Sequence, residues 1–283
     1  MTTESLAAER AEHPVHHYFA GQQIRFTEEW RDILKSGHLL YNLVHRDITV
    51  RYKRSTLGTL WTLLNPLLLV VILVIVFSHV FRFAVEHYEI YLLSGLLPWT
   101  FFSQTTVTSM AATGWNGPLM KRVRVPKSIF TLSTTISGIV NLAISYLPLL
   151  ALMIIRGVPF RPSLLFLPIS IAILAVFTFG LSLALSTVSV YFVDVREMFN
   201  ILLTALLYLT PVIYPLNIIP AKWQPLIHAN PMYYMTEIVR IPIHAGILPS
   251  MQLVGVCVSL ALASLLIGWM TFRRLSPGFY PHL

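Results

Sequence analysis

Charge is what this chain has least of. Only 11% of its 283 residues are Asp, Glu, Lys or Arg, against 55% apolar, where a soluble domain carries about 25% charged residues. Six stretches hold no charge at all: Ser55–Phe81, Ile90–Met120, Ser128–Ile155, Pro162–Val193, Met198–Ala221 and Ile241–Phe272. Each exceeds the roughly 20 residues a helix needs to cross the hydrocarbon core. In that medium a helix satisfies its own backbone hydrogen bonds within one segment. The missing charge therefore excludes an ordinary soluble fold and predicts six membrane helices. Cysteine is nearly absent too. Cys257, in the last stretch, stands alone, which excludes an internal disulfide and gives no hint of a metal site. The first fifty residues lack a continuous apolar run, so no cleavable signal peptide is expected and the first span serves as its own insertion signal.

Other absences narrow the chemistry. A phosphate-binding P-loop needs a Gly-Lys pair followed by Ser or Thr, and the sequence contains no Gly-Lys pair. If the protein pumps, its energy comes from another polypeptide. H-E-x-x-H and G-x-S-x-G are missing as well, so neither a zinc protease nor a serine-esterase site is encoded. Ion-coupled transport generally needs a titratable group inside the membrane. Here His79, at the end of the first span, comes near, and secondary transport is disfavoured.

What charge exists is lopsided. The net charge is +8, which in a membrane protein reports orientation before any nucleic-acid partner. Fifteen of the 20 Lys and Arg fall in the N-terminal region, the loops after the second and fourth spans, and the tail; five fall on the other side. The positive-inside rule then places both termini in the cytoplasm, as an even number of spans also requires. Basic surface on that side comprises the Arg46–Arg54 cluster, Lys121–Lys127 and the short loop Asp194-Val195-Arg196-Glu197, which anionic lipid alone would attract.

The organisation follows. Residues 1–27 form a polar tail with His13, His16 and His17; residues 28–54 form a cytoplasmic amphipathic and basic segment; residues 55–275 form the membrane domain; residues 276–283 form a cytoplasmic tail. Trp30, Ile33, Leu34, Leu40, Tyr41, Val44 and Ile48 recur at helical spacing, opposite Arg31, Asp32, Lys35, Asn42 and Arg46. This predicts a helix lying in the membrane interface. The second span carries Ser103, Gln104, Thr105, Thr106, Thr108 and Ser109, polar side chains, five of them hydroxyls, that serve either close helix packing or a hydrated path. Seven of the 18 prolines lie between Pro211 and Pro249, so no continuous helix crosses that stretch. Being apolar yet broken, residues 215–249 are expected to form re-entrant helices between spans 5 and 6. The fold class is thus an all-α integral membrane protein. Glu237 and Arg240, three apart, are expected to pair on one helical face. Tyr91, Trp99 and Trp269 read as members of the interfacial aromatic belt.

The ordered motifs carry a resemblance. Arg46-Asp47-Ile48-Thr49-Val50-Arg51-Tyr52-Lys53-Arg54-Ser55, then Leu57-Gly58, Leu60-Trp61 and Leu64-Asn65-Pro66, resemble the approach to the first span in ABC-2 type polysaccharide export permeases. Gly95 through Phe102, Lys121 through Lys127, Asp194-Val195-Arg196, Thr210 through Pro215, and Asn230-Pro231 with Glu237 and Arg240 follow in family order. Val125 and Ser128 stand where the family often has an aromatic and an acid.

The resemblance implies a bacterial inner-membrane exporter of a lipid-linked glycan. It implies a homodimer with two copies of a separate ABC ATPase, which would hold the ATP and magnesium; this chain itself would bind no cofactor or metal. Arg46, Asp47, Arg51, Lys53, Arg54, Lys121, Arg122, Arg124, Pro126, Asp194 and Arg196 would couple to the ATPase. Asn230, Pro231, Glu237 and Arg240 would fix the re-entrant region. The channel would form between two copies. Aromatic rings suit the C–H faces of sugars, which selects Phe101, Phe102, Tyr208 and Tyr214 as lining, with Gln104 and Thr105 as polar partners. A permease for drugs or lipids, or a scaffold without transport, are the competing readings.

Overall fold

A computed structural model describes residues 26–52, 64, 67–69, 71–76, 85–122 and 125–279. Among them every regular element is a helix and no strand occurs. The polar tail and its three histidines lie outside the described residues, as does most of the first predicted span; its residues that are described, between 64 and 76, are helical.

The amphipathic segment folds as two helices, not one. Helix α1 (Phe26–Lys35) and helix α2 (Gly37–Tyr52) are separated at Ser36. Ser and Gly are poor helix formers next to their neighbours, and they stand together at the break. Leu43 of α2 is buried with Met120, Ile129 and Phe130 in a small core of its own.

Helix α3 (Tyr88–Trp115) is the centre of the molecule. Its 28 residues extend about 42 Å at 1.5 Å per residue. Twenty of them are buried, because α5, α6, α7 and α9 all pack on it. Helix α4 (Gly117–Arg122) follows, then α5 (Ile129–Ile155). A 3₁₀ turn at Pro162–Phe166 leads into α6 (Leu167–Tyr191), and α7 (Val195–Leu209) comes next. Beyond it lie 3₁₀ turns at Leu216–Ile218 and Ala221–Trp223, the short α8 (Gln224–His228), α9 (Pro231–Arg240) and a π turn at Ile241–Ala245. Helix α10 (Met251–Leu275) and a last 3₁₀ turn at Ser276–Gly278 close the described chain.

Three of these segments are long and apolar enough to cross a membrane: Ile129–Ile155, Pro162–Tyr191 and Met251–Gly278. The fifth charge-free stretch is different. Its helix stops at Leu209 after 15 residues, about 22 Å and short of the roughly 30 Å hydrocarbon core. Pro211 and Pro215 supply the reason, since neither can donate a helical hydrogen bond. The sixth helix starts ten residues later than its charge-free stretch, where the Ser250 hydroxyl accepts from the Leu253 amide at 3.2 Å and caps it.

Apolar burial cannot hold such helices together in lipid, because lipid tails are as apolar as leucine. Close contact and buried hydroxyls do the work instead. Ser109 and Thr134 join α3 to α5 at 2.5 Å, and Thr131 and Ser186 join α5 to α6 at 3.1 Å. Ser170 donates to the Ile238 carbonyl of α9, and Ser264 of α10 to the Phe177 carbonyl of α6, each at 2.8 Å. Such bonds average about 0.6 kcal/mol each in membrane proteins. One close approach is glycine on glycine. A Cβ on Gly268 of α10 would land on the Gly180 carbonyl of α6.

Gly268→Ala is therefore expected to destabilise the detergent-solubilised protein by about 1–3 kcal/mol, the usual range for overpacking. Gly255→Ala, on the same helix with no atom within 4 Å of a new Cβ, is expected to leave it unchanged. Thermal unfolding of both variants checks this, and equal behaviour would refute the close-packing account.

Candidate functional site

The end of α7 leaves a row of backbone carbonyls without helical partners, and side chains from two other helices capture them. The Tyr88 hydroxyl donates to the Ile213 carbonyl at 2.7 Å. The Tyr91 hydroxyl lies 3.2 Å from the Pro211 carbonyl and 3.0 Å from that of Tyr214. Arg240 of α9 donates from Nη2 to the Val212 carbonyl at 3.1 Å. Donors thus lie within hydrogen-bond distance of four consecutive carbonyls, 211 through 214, the one Tyr91 hydroxyl hydrogen being shared between two of them. Thr210 and Asn230 secure the two sides of the break. Thr210 donates to the Leu206 carbonyl at 2.7 Å, and the Asn230 amide donates to Thr210 Oγ1 at 2.8 Å. The Asn230 carbonyl oxygen caps α9 by accepting from the Met232 amide at 3.0 Å, with Pro231 in the first turn.

Arg240 is buried to 3% exposure. Its charge is balanced by Glu237, 2.6 Å away, and its guanidinium sits 4.0 Å from the Tyr91 ring centroid. A cation over an aromatic face gains more when water is excluded. Gly95 provides the space, since a Cβ there would overlap the guanidinium. Tyr91 and Trp99 therefore do not form an interfacial belt. Tyr91 is 7% exposed and Trp99 4%, the latter packed against Phe102. Tyr91 is enclosed because the arginine and the broken segment need its ring and its hydroxyl.

The polar run of α3 divides by face. Thr105, Thr106 and Ser109 point into helix packing, with Thr105 only 3% exposed. Ser103, Gln104 and Thr108, with Val107, line one wall of a cleft of about 360 Å³ whose other wall is Leu203 of α7. Phe101 and Phe102 are 5% and 1% exposed, and Phe102 packs on Phe177. Neither faces the cleft. Tyr208 is exposed on α7, and Tyr214, half-buried, donates its hydroxyl to the Tyr208 carbonyl.

At the opposite end of α3 a second group of polar contacts gathers. Arg46 of α2 donates to Asp47 Oδ1 at 2.9 Å and to Asn116 Oδ1 at 2.9 Å. Asn116 in turn donates to the Ala112 carbonyl at 2.7 Å. Pro126 is buried. Glu29 of α1 is 5% exposed, and its Oε1 accepts from the Ser128 hydroxyl at 2.7 Å and the Ser128 amide at 3.2 Å. A carboxylate at the start of α5 also suits the helix dipole. Burial raises the Glu29 pKa, opposed by those two bonds. Burial likewise lowers Lys127 to about 8, opposed by the Glu29 charge. Asp194 is exposed and Arg196 half-exposed at the start of α7. Among the described residues neither is joined to the Arg46–Ser128 group by a hydrogen bond or ion pair. The backbones of Arg51, Lys121 and Arg122 are helical, whereas Lys53, Arg54 and Arg124 lie outside the described residues. No group of three His, Cys, Asp or Glu comes together among the described residues.

Sequence reasoning singled out Asn230, Glu237 and Arg240 and held Gly95 as part of a motif without a role, but missed Tyr88, Glu29 and Asn116. Gly95 stands four residues, one helical turn, after Tyr91, so the two share a face. That spacing is a signal for a bulky partner, though it does not name Arg240.

Comparison with known proteins gives a consistent picture. The model of the ABC-2 type transporter family matches residues 38–243. The chain is similar to the O-antigen export system permease protein RfbA of Klebsiella pneumoniae, 31% identical over 200 residues, covering 70% of this chain and 76% of that one. It is 31% identical over 193 residues to RfbA of Myxococcus xanthus, covering 67% and 73%. It is 24% identical over 233 residues to the polysialic acid transport protein KpsM of Escherichia coli, covering 81% and 90%.

Removing one member of a buried ion pair costs about 3–5 kcal/mol, because the other charge is stranded. Glu237→Ala is expected to lose stability in that range in a detergent melt, and Glu237→Ala combined with Arg240→Met to recover part of it. A double variant no better than the single one would show that the charge balance is not what matters.

Proposed function

We propose, since the chain belongs to the ABC-2 type transporter family, that it is the membrane permease of an exporter for a lipid-linked polysaccharide. The observation that carries the reading is the cleft between α3 and α7. A helix buried at the heart of a membrane protein presents Ser103, Gln104 and Thr108 to open space, where a hydrogen-bonding solute can replace water. The relatives named for O-antigen export and polysialic acid transport supply the solute class: a chain of sugars, rich in hydroxyls.

The rest of the reading follows from that. The chain crosses the bacterial inner membrane six times with both termini in the cytoplasm, and residues 215–249 re-enter from the outer side. The exposed apolar face of α7, with Met198, Ile201, Leu202 and Tyr208, meets a second copy, so that two clefts face each other and enclose the path. Gln104, Tyr208 and Tyr214 line it with Ser103 and Thr108. Phe101, Phe102 and Thr105 support the wall from behind. The residues do not fit a nucleotide, because no Gly-Lys pair exists to cradle phosphates. ATP and magnesium belong to a separate ATPase, two copies per permease dimer. Arg46, Asp47, Asp194 and Arg196 contribute to the surface it meets, with Asn116 and Pro126 buried behind it, and Arg51, Lys53, Arg54, Lys121, Arg122 and Arg124 add positive charge to the same stretches of sequence. Held at both ends, α3 is the element through which motion at that surface reaches the cleft. This chain alone is not an enzyme.

The test is complementation of a deletion strain, with surface glycan and intracellular lipid-linked glycan both measured. Gln104→Trp, which fills the cleft, is expected to cut surface glycan at least about tenfold, equivalent to roughly 1.4 kcal/mol on the transport barrier. Glycan should accumulate inside. Normal surface glycan in the deletion strain, with altered drug resistance or lipid content, would move the chain to another substrate class.

A further inference from the structure

The short turn before α5 reaches in two directions at once. Ser128 gives its amide and hydroxyl to Glu29 of α1 at 3.2 and 2.7 Å. Its neighbour Lys127 reaches the other way, donating from Nζ to the Ser276 carbonyl at 2.5 Å and lying 5.2 Å from the Phe279 ring centroid. These partners are 99 and 149 residues away in the chain. The segment that Lys127 grips is itself fixed. Phe279 is 1% exposed against Phe272 and Tyr191, and the Tyr191 hydroxyl donates to the Leu275 carbonyl.

The Ser276 carbonyl accepts the Phe279 amide at 3.3 Å and has a second lone pair to offer, and it lies at the negative end of the helix dipole. A lysine ammonium satisfies both conditions. A charged donor also makes a stronger bond than a neutral one. Lys127 is therefore a fastening between the turn and the end of α10, and Ser128 a fastening between the turn and α1. Nothing about the binding of a partner requires the second fastening. It gives the turn a hold on the last membrane helix.

We propose that Lys127 is a positioning residue for coupling: it passes displacement of the turn at residues 126–128 to the end of α10 while Ser128 passes it to α1, so that α1 and the end of α10 move with the turn. This rests on the permease reading above, in which that turn meets the ATPase. If the relay exists, cutting it separates ATP hydrolysis from transport without separating the two subunits.

The experiment is reconstitution of the permease with its ATPase in proteoliposomes, with ATP hydrolysed and glycan moved measured in the same vesicles. Lys127→Met keeps the length and apolar stem of the side chain and removes the donor. Lys127→Arg keeps a charged donor. Lys127→Met is expected to bind the ATPase and hydrolyse ATP at the unsubstituted rate while moving at least tenfold less glycan per ATP, and Lys127→Arg to restore at least half of that ratio. An unchanged ratio in Lys127→Met would overturn the proposal. So would a loss of glycan transport that merely tracks the amount of permease recovered, or failure of Lys127→Arg to restore a ratio lost in Lys127→Met. If the unsubstituted chain captured no ATPase, the permease reading would fail and the relay with it.

Discussion

A backbone that leaves the helical path inside a membrane must find hydrogen-bond partners within the protein, because the lipid offers none. Residues 210 to 214 leave the helical path in an apolar part of this chain, and much of the structure depends on how their carbonyls are met. Tyr88 and Tyr91 come from the start of α3 and Arg240 from the end of α9, and together they reach four consecutive carbonyls, with the Tyr91 hydroxyl shared between two. The solution imposes others. Arg240 brings a charge, which needs Glu237 and the Tyr91 ring. The arginine also needs space, which needs Gly95. A single break in α7 thus ties three helices into one unit and gives the central helix a fixed upper end.

The lower end of α3 is held differently. There the contacts are Arg46 with Asn116, and Glu29 with Ser128. They join the amphipathic helices α1 and α2 to the turn that separates α3 from α5. Such contacts are charged and polar, and one carboxylate is buried. A helix with one end locked to a broken segment and the other held by an adjustable polar junction is suited to carry motion along its length. Its middle carries the polar cleft wall. The arrangement connects the surface proposed to receive work with the surface proposed to face the cargo.

Much of this was legible in the sequence, and the failures have physical reasons. Charge-free stretches located α5 and the segment Pro162–Tyr191 nearly to the residue, since a lipid-facing helix has to be apolar along its whole length. The same rule overextended α7, because charge counts do not see that Pro211 ends a helix while the chain stays apolar. Proline spacing did locate the broken region, and spacing of three brought Glu237 and Arg240 together. The aromatics were harder. Tyr91 and Trp99 look like belt residues in a sequence, and only tertiary packing reveals that one is a hydrogen-bond donor to a distant carbonyl and the other a core residue. Phe102 likewise resembles a channel residue until its neighbour Phe177 is known. Helical periodicity says which residues share a face; it does not say which face is enclosed. The contact between Glu29 and Ser128 spans 99 residues, beyond anything local pattern can reach.

The central claim is that this chain is one part of a machine whose energy comes from another. The most direct measurement is gentle detergent purification of the tagged chain from its own cells, with mass spectrometry of whatever accompanies it in stoichiometric amount. The account predicts a soluble ATPase with a P-loop at one copy per permease, two of each in the native complex. An intact chain that emerges alone, with no ATPase even after cross-linking in the cell, would contradict it.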